Sequence, residues 1–209
     1  MMYAEGTFIM LAAPFLALLF IARAGARRIL FCLVVGMLVC LVGAYINTYI
    51  SFVWAVDDLD AVVLVAPMVE EIAKYLPLAF YFLVFEPPRR NLLDAALAIG
   101  AGFAIFENAT YLSQGIQGLG LLALRGVAAG AMHSGVTAFV GLALSYTRDK
   151  DWPRGSAMAG VLSLAVIYHA LYNLLVSFPG PLRYVGFALP MLFALGLGLS
   201  DWRGVKRPG

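Results

Sequence analysis

Charged side chains are scarce in this chain. Asp, Glu, Lys and Arg together make up 12% of its 209 residues, against about 25% in an ordinary soluble domain, which excludes a solvated globular surface. Cysteine is nearly absent: Cys32 and Cys40 are too few for a disulfide framework. They lie on similar sides of one apolar helix and cannot pair with each other, so packing is their expected role rather than metal or redox chemistry. No polar linker, low-complexity tract or internal repeat interrupts the sequence. Hydrophobic residues make up 63%, with a mean hydropathy of +0.90, and this composition predicts an all-α polytopic membrane protein.

A span needs about 20 mostly apolar residues. Seven such runs are expected, at approximately 3–22, 29–50, 61–85, 92–112, 119–146, 156–177 and 183–200. The first has Glu5 in place of a basic leader and lacks a small-residue cleavage site, so it reads as a retained helix rather than a targeting segment. The connections are short, and the chain is expected to form one integral membrane domain over 1–209, with a functional core at approximately 61–177.

The basic residues fall in alternate loops. Arg23, Arg27 and Arg28 separate the first two runs, Arg89 and Arg90 the third and fourth, and Arg148, Lys150 and Arg154 the fifth and sixth; Arg203, Lys206 and Arg207 follow the last. The opposite side carries Glu5, Asp57, Asp58 and Asp60, with Arg183 its only loop base. The positive-inside rule then puts the N-terminus outside and the C-terminus in the cytoplasm. The formal charge of +2 therefore reports topology, and no nucleic-acid footprint is seen in it.

Against this background, Glu70, Glu71, Lys74, Glu107, His133 and His169 stand out, because they lie within the apolar runs. A charge at the bilayer centre costs roughly 2.5 to 3.5 kcal/mol on insertion scales, so ionisable residues kept there mark a site. In the third run Lys74 follows Glu70 and Glu71 at helical spacing and can serve either carboxylate. Two adjacent carboxylates beside one ammonium cannot both ionise cheaply, an arrangement that supplies a base; the structural alternative is an ion pair bridging helices.

In the fourth run Glu107 and Tyr111 share a face, which suits catalysis or a polar clasp equally. Gly100, Ala101, Gly102 and Ala104 before them predict close helix packing. His133 shares a stripe with Gly126, Gly130 and Thr137, and His169 shares one with Asn173. Counting the helical rise puts Glu70 near mid-membrane and the other groups mostly toward the outer half. A cavity joining them should open outward or sideways into lipid.

Glu70-Glu71-x-x-Lys74, Phe106-Glu107-x-x-x-Tyr111, His133 and His169-x-x-x-Asn173, in that order, resemble the motifs of PrsW-type intramembrane proteases. These are relatives of the CAAX prenyl endopeptidase and bacteriocin-processing superfamily. The likeness covers the third to sixth runs. The CAAX-type pattern has an arginine after the glutamate pair and a Phe-x-x-x-His motif, and this chain has neither, which argues against prenyl-protein processing.

The resemblance implies an endopeptidase for membrane-anchored protein substrates in a lipid bilayer, with a bacterial cytoplasmic membrane as its expected setting. It implies a catalytic set of Glu70, Glu71, His133, His169 and Asn173, with Lys74, Glu107 and Tyr111 in support. Glu70 would take a proton from water, His133 and His169 would position that water or stabilise the oxyanion, and Asn173 would add a donor. No cofactor is expected on this reading. The carboxylate and imidazole set also suits zinc, although the dense His-Glu-x-x-His motif is absent, and a zinc-dependent protease is the alternative.

Other classes fit less well. A rhomboid-like serine enzyme would need a nucleophile in a Gly-x-Ser context, whereas Ser134 projects away from its neighbour His133. A two-aspartate enzyme would need a second partner for Asp94. A proton- or ion-coupled transporter would use the same buried groups as a relay, but no inverted repeat supports it. A seven-helix photoreceptor would need a lysine in the last span. A non-catalytic scaffold would not need both histidines.

Overall fold

A computed structural model describes residues 4–113, 118–148 and 154–205, with side chains described at all of these except 113, 154 and 200–205. Lys150, Lys206 and Arg207, which entered the charge argument, lie outside the described residues, as do the side chains of Arg154 and Arg203. Seven helices follow in order: α1 (Ala4–Leu18), α2 (Ala24–Val53), α3 (Ala66–Phe85), α4 (Arg89–Ser113), α5 (Leu119–Thr147), α6 (Arg154–Ser177) and α7 (Pro181–Val205). No strand occurs among the described residues.

Five of these helices, α2, α4, α5, α6 and α7, are long and apolar enough to cross a bilayer. The other two fall short for identifiable reasons. The described part of α1 has 15 residues, and α3 carries Glu70, Glu71 and Lys74 within its 20. Large apolar side chains such as Phe80, Leu83, Leu164, Ile167, Leu192 and Leu195 are exposed on the outside, as a surface facing lipid requires and a surface facing water does not allow.

The entry to α3 is irregular. Asp57 accepts a hydrogen bond from the Asp60 backbone N–H at 2.9 Å, capping a single turn at Asp58–Asp60. A π-helical segment, Ala61–Val65, follows and runs into α3. The Ala66 N–H reaches back to Ala61 O, so in that register the next donor would serve Val62 O. That next residue is Pro67, which has no N–H. At its far end α3 stops at Glu86, which adopts a left-handed conformation (φ 45°) before Pro87 and Pro88.

The helices of the core approach at backbone distance where glycine permits it. A Cβ on Gly36 would overlap the Ile99 carbonyl, one on Gly102 the Leu33 carbonyl, and one on Gly100 the His133 carbonyl. These contacts clamp α2 to α4 and α4 to α5, in agreement with the small-residue pattern. Around them Leu78, Leu92, Ile99, Met132, Val136 and Leu144 form one buried cluster, and Met37, Cys40, Phe103 and Phe106 belong to a second. Both cysteines are free, and Cys40 serves as packing.

Candidate functional site

Four helices contribute the ionisable groups at the centre of the interior. From α3 come Glu70, Glu71 and Lys74, from α4 Glu107, from α5 His133 and from α6 His169. Glu71, Lys74, His133 and His169 are each at most 2% exposed, so water cannot satisfy them and each requires a partner. All have one. Lys74 Nζ donates to Glu71 Oε1 at 2.5 Å and to His133 Nδ1 at 2.9 Å, with the ammonium 4.9 Å from the centre of the Phe103 ring. His169 Nδ1 lies 2.7 Å from Glu71 Oε1, and His133 Nε2 lies 3.0 Å from Glu107 Oε2. The two imidazoles stand edge to face with centres 5.0 Å apart.

The network assigns the tautomers. An ammonium only donates and a carboxylate only accepts, so His133 takes a hydrogen bond at Nδ1 and gives one from Nε2–H to Glu107. His169 gives its Nδ1–H to Glu71. This leaves the Nε2 lone pair of His169 free, and that atom lies 3.9 Å from Glu70 Oε2. Glu70 Oε2 is itself buried without a hydrogen-bond partner. Two electron-pair donors thus face each other across a gap too long for a direct hydrogen bond, a geometry that calls for a proton, a water molecule or a cation between them.

The ion pairs lead to the same conclusion: among the described residues Glu71 is paired with Lys74 and Glu107 with Arg125, while no lysine or arginine pairs with Glu70. Glu70, His133 and His169 each offer a ligand atom within 4.8 Å of the others. Two histidines and a carboxylate are a donor set that zinc accepts, and the unpartnered Glu70 oxygen with the free His169 nitrogen supplies two of the three donors. The residues therefore fit a divalent metal.

Sequence reasoning left Lys74 open to either glutamate, and the structure pairs it with Glu71. Glu70 is held instead by Asn47 of α2, whose Nδ2 donates to Glu70 Oε1 at 3.3 Å. Arg125 of α5 was likewise not anticipated. Its guanidinium reaches Glu107 Oε1 at 3.4 Å, donates to Asn108 Oδ1 at 3.0 Å and stacks on the Tyr111 ring, 3.2 Å from its centre. Both carry a sequence signal, because Asn47 and Arg125 lie inside apolar runs, where a polar amide is costly and a charge more so. Tyr111 engages through its ring face rather than by a phenol-to-carboxylate hydrogen bond.

Asn173 shares a cavity with Glu70, but its side chain donates to Val62 O at 2.9 Å. That is the carbonyl that Pro67 leaves without a donor in the π register. Asn173 therefore ties α6 to the entry of α3 and has no recorded bond to either histidine. On the glycine stripe beside His133, Gly130 has open space at its Cβ position and Gly126 meets only the Asn108 side chain, while Thr137 bonds back to the His133 carbonyl at 2.7 Å.

The cavity, of about 320 Å³, is lined in part by Glu70, Glu107, Arg125, Tyr172, Asn173 and Arg183. Val62 and Ala66 at the start of α3, Tyr111 near the end of α4 and Ser177 at the end of α6 also border it. It therefore lies at the end of the bundle that carries Asp57 to Asp60; Glu70 and Glu107 reach it, whereas Glu71, Lys74, His133 and His169 are not among its lining residues.

Residues 24–197 match a protein-family model described as PrsW family intramembrane metalloprotease. No curated protein and no solved structure matches the chain.

Proposed function

Because the chain belongs to the PrsW family of intramembrane metalloproteases, and is thus an integral membrane peptidase acting on membrane protein substrates, we propose that it cuts its substrate by water attack at the Glu70, His133 and His169 cluster. The facing lone pairs of Glu70 Oε2 and His169 Nε2 carry this reading, because a water seated between them would donate one hydrogen bond to each. Glu70 takes the proton from that water as it attacks the peptide carbonyl. Nε2–H of His133 and the guanidinium of Arg125, both now directed at Glu107, would supply the donors that a developing oxyanion requires by turning from Glu107 to the substrate.

The remaining groups keep these two functions aligned. Glu71 pins His169 with its free nitrogen toward Glu70, and Lys74 pins His133 with its N–H toward Glu107. Asn47 orients Glu70. Asn173 fixes the entry segment of α3 against α6 through Val62 O, and Tyr111 supports Arg125 at the cavity wall. We assign the catalytic core to approximately 61–177 of one membrane domain and extend the kinship to the CAAX prenyl endopeptidase and bacteriocin-processing superfamily. The proposed orientation has the N-terminus outside a bacterial cytoplasmic membrane, so that the cavity opens outward.

A second reading rests on the donor set. Glu70, His133 and His169 would hold a divalent metal, and His133 would first have to release the Nε2 proton that now points to Glu107. When bound, the metal would polarise water and the substrate carbonyl. A proton- or ion-coupled transporter would use the same groups, but the family match favours hydrolysis.

Purified protein in liposomes, incubated with a membrane-anchored reporter, should release a defined fragment. Proton or ion flux without cleavage would overturn the reading in favour of transport.

A further inference from the structure

Arg183 is the one loop base on the acidic side of the bundle, and neither fold nor catalysis accounts for it so far. It sits in the first turn of α7 and lines the cavity that also contains Glu70 and Glu107. Its Nε donates to Val176 O at 3.2 Å, one of the last carbonyls of α6. That bond anchors the guanidinium at the end of α6. Five N–H donors are available to an arginine, and among the described residues this one leaves the two terminal nitrogens uncommitted.

Among the described residues no carboxylate pairs with Arg183, although Asp57, Asp58 and Asp60 belong to the same end of the bundle. Arg125, the other guanidinium on the cavity wall, differs in each respect: it is matched by Glu107, Asn108 and Tyr111. An arginine held by its Nε and open at its fork is preorganised for a carboxylate or phosphate.

Resting on the protease reading, we propose that Arg183 is a specificity residue that binds an acidic side chain of the protein substrate a few residues from the bond to be cut. Substrate is favoured over a lipid phosphate because Arg183 borders the same cavity as Glu70. An extended chain advances about 3.3 to 3.6 Å per residue, so a peptide seated at Glu70 passes Arg183 within a few residues.

The test is a set of membrane-anchored reporters, alike except for one Glu, Gln or Lys moved stepwise along the segment flanking the cleaved bond, in liposomes of zwitterionic or anionic lipid. At one position the wild type should prefer Glu over Lys in kcat/KM by about fivefold or more, the scale of a partly solvated ion pair, through KM and with loss of the preference at high salt. R183Q should level the preference, R183E should invert it and R183K should restore it. Levelling in R183Q with retention in R183K supports the proposal even if R183E does not fold.

The same residue ranking in wild type and R183Q, while both cleave, would overturn it. So would an effect of Arg183 that follows the anionic lipid content rather than the substrate residue, which would assign the guanidinium to a headgroup phosphate. Absence of cleavage by the wild type on every reporter would overturn the protease reading beneath it, a result distinct from either.

Discussion

Replacing Glu70 and Glu71 in turn with glutamine separates chemistry from folding, because the two adjacent carboxylates are held in opposite ways. Glu70 accepts one long hydrogen bond, 3.3 Å from Asn47, and its other oxygen has no partner. An isosteric amide there removes a buried negative charge that the cluster does not balance, so Glu70→Gln should change stability by less than about 1 kcal/mol, the scale of one ordinary hydrogen bond. Glu71 concentrates its bonds on Oε1, which receives Lys74 at 2.5 Å and His169 at 2.7 Å. Glu71→Gln removes the only carboxylate in direct contact with the buried Lys74 ammonium among the described residues, and removing one partner of a buried pair costs about 3 to 5 kcal/mol.

Activity should divide differently. Loss of a general base lowers the rate by about 10² to 10⁴, so Glu70→Gln should be nearly inactive while it inserts, purifies and unfolds like the wild type. Reporter cleavage in liposomes and thermal unfolding in one detergent, measured on the same preparations, give both readouts. Near-normal cleavage by Glu70→Gln would refute Glu70 as the base and turn attention to Glu107; destabilisation of Glu70→Gln equal to that of Glu71→Gln would refute the bonding asymmetry itself.

Three further outcomes are expected. Gly100→Ala drives a methyl into the His133 carbonyl and should cost about 1 to 3 kcal/mol, as overpacking does, with lost cleavage, whereas Gly130→Ala, where the space is open, should fold normally; equal unfolding temperatures for the pair would contradict the close α4–α5 contact. If the donor set holds a metal, purified protein should contain one equivalent of zinc or another divalent ion, chelation should abolish cleavage and His169→Ala should purify without the ion; metal-free protein with full activity would leave the glutamate-only mechanism. Cysteine labelling should reach the Asp57 to Asp60 turn from outside and the Arg89 loop from the cytoplasm, and the reverse pattern would invert the proposed orientation.

The class of the protein and most of its interior polar residues were legible in the sequence because the bilayer interior penalises a charge whatever its partner. A Glu, Lys or His inside an apolar run declares itself whatever it touches, and the spacing of the glycines announces close helix contact. Arg125 and Asn47 lie inside apolar runs as well and carry the same kind of signal. What spacing along one helix could not supply is the partner on another. Lys74 is within helical reach of both Glu70 and Glu71, and only the approach of α5 and α6, with His133 and His169, decides that Glu71 is paired and Glu70 is left with an open oxygen. Asn173 shares a face with His169, yet its amide goes to Val62 O, because a π-helical register and the missing N–H of Pro67 strand that carbonyl in a neighbouring segment. Periodicity reports which residues share a helix face, while hydrogen-bond satisfaction in a dry interior is settled between faces, so the choice of partner belongs to the tertiary structure.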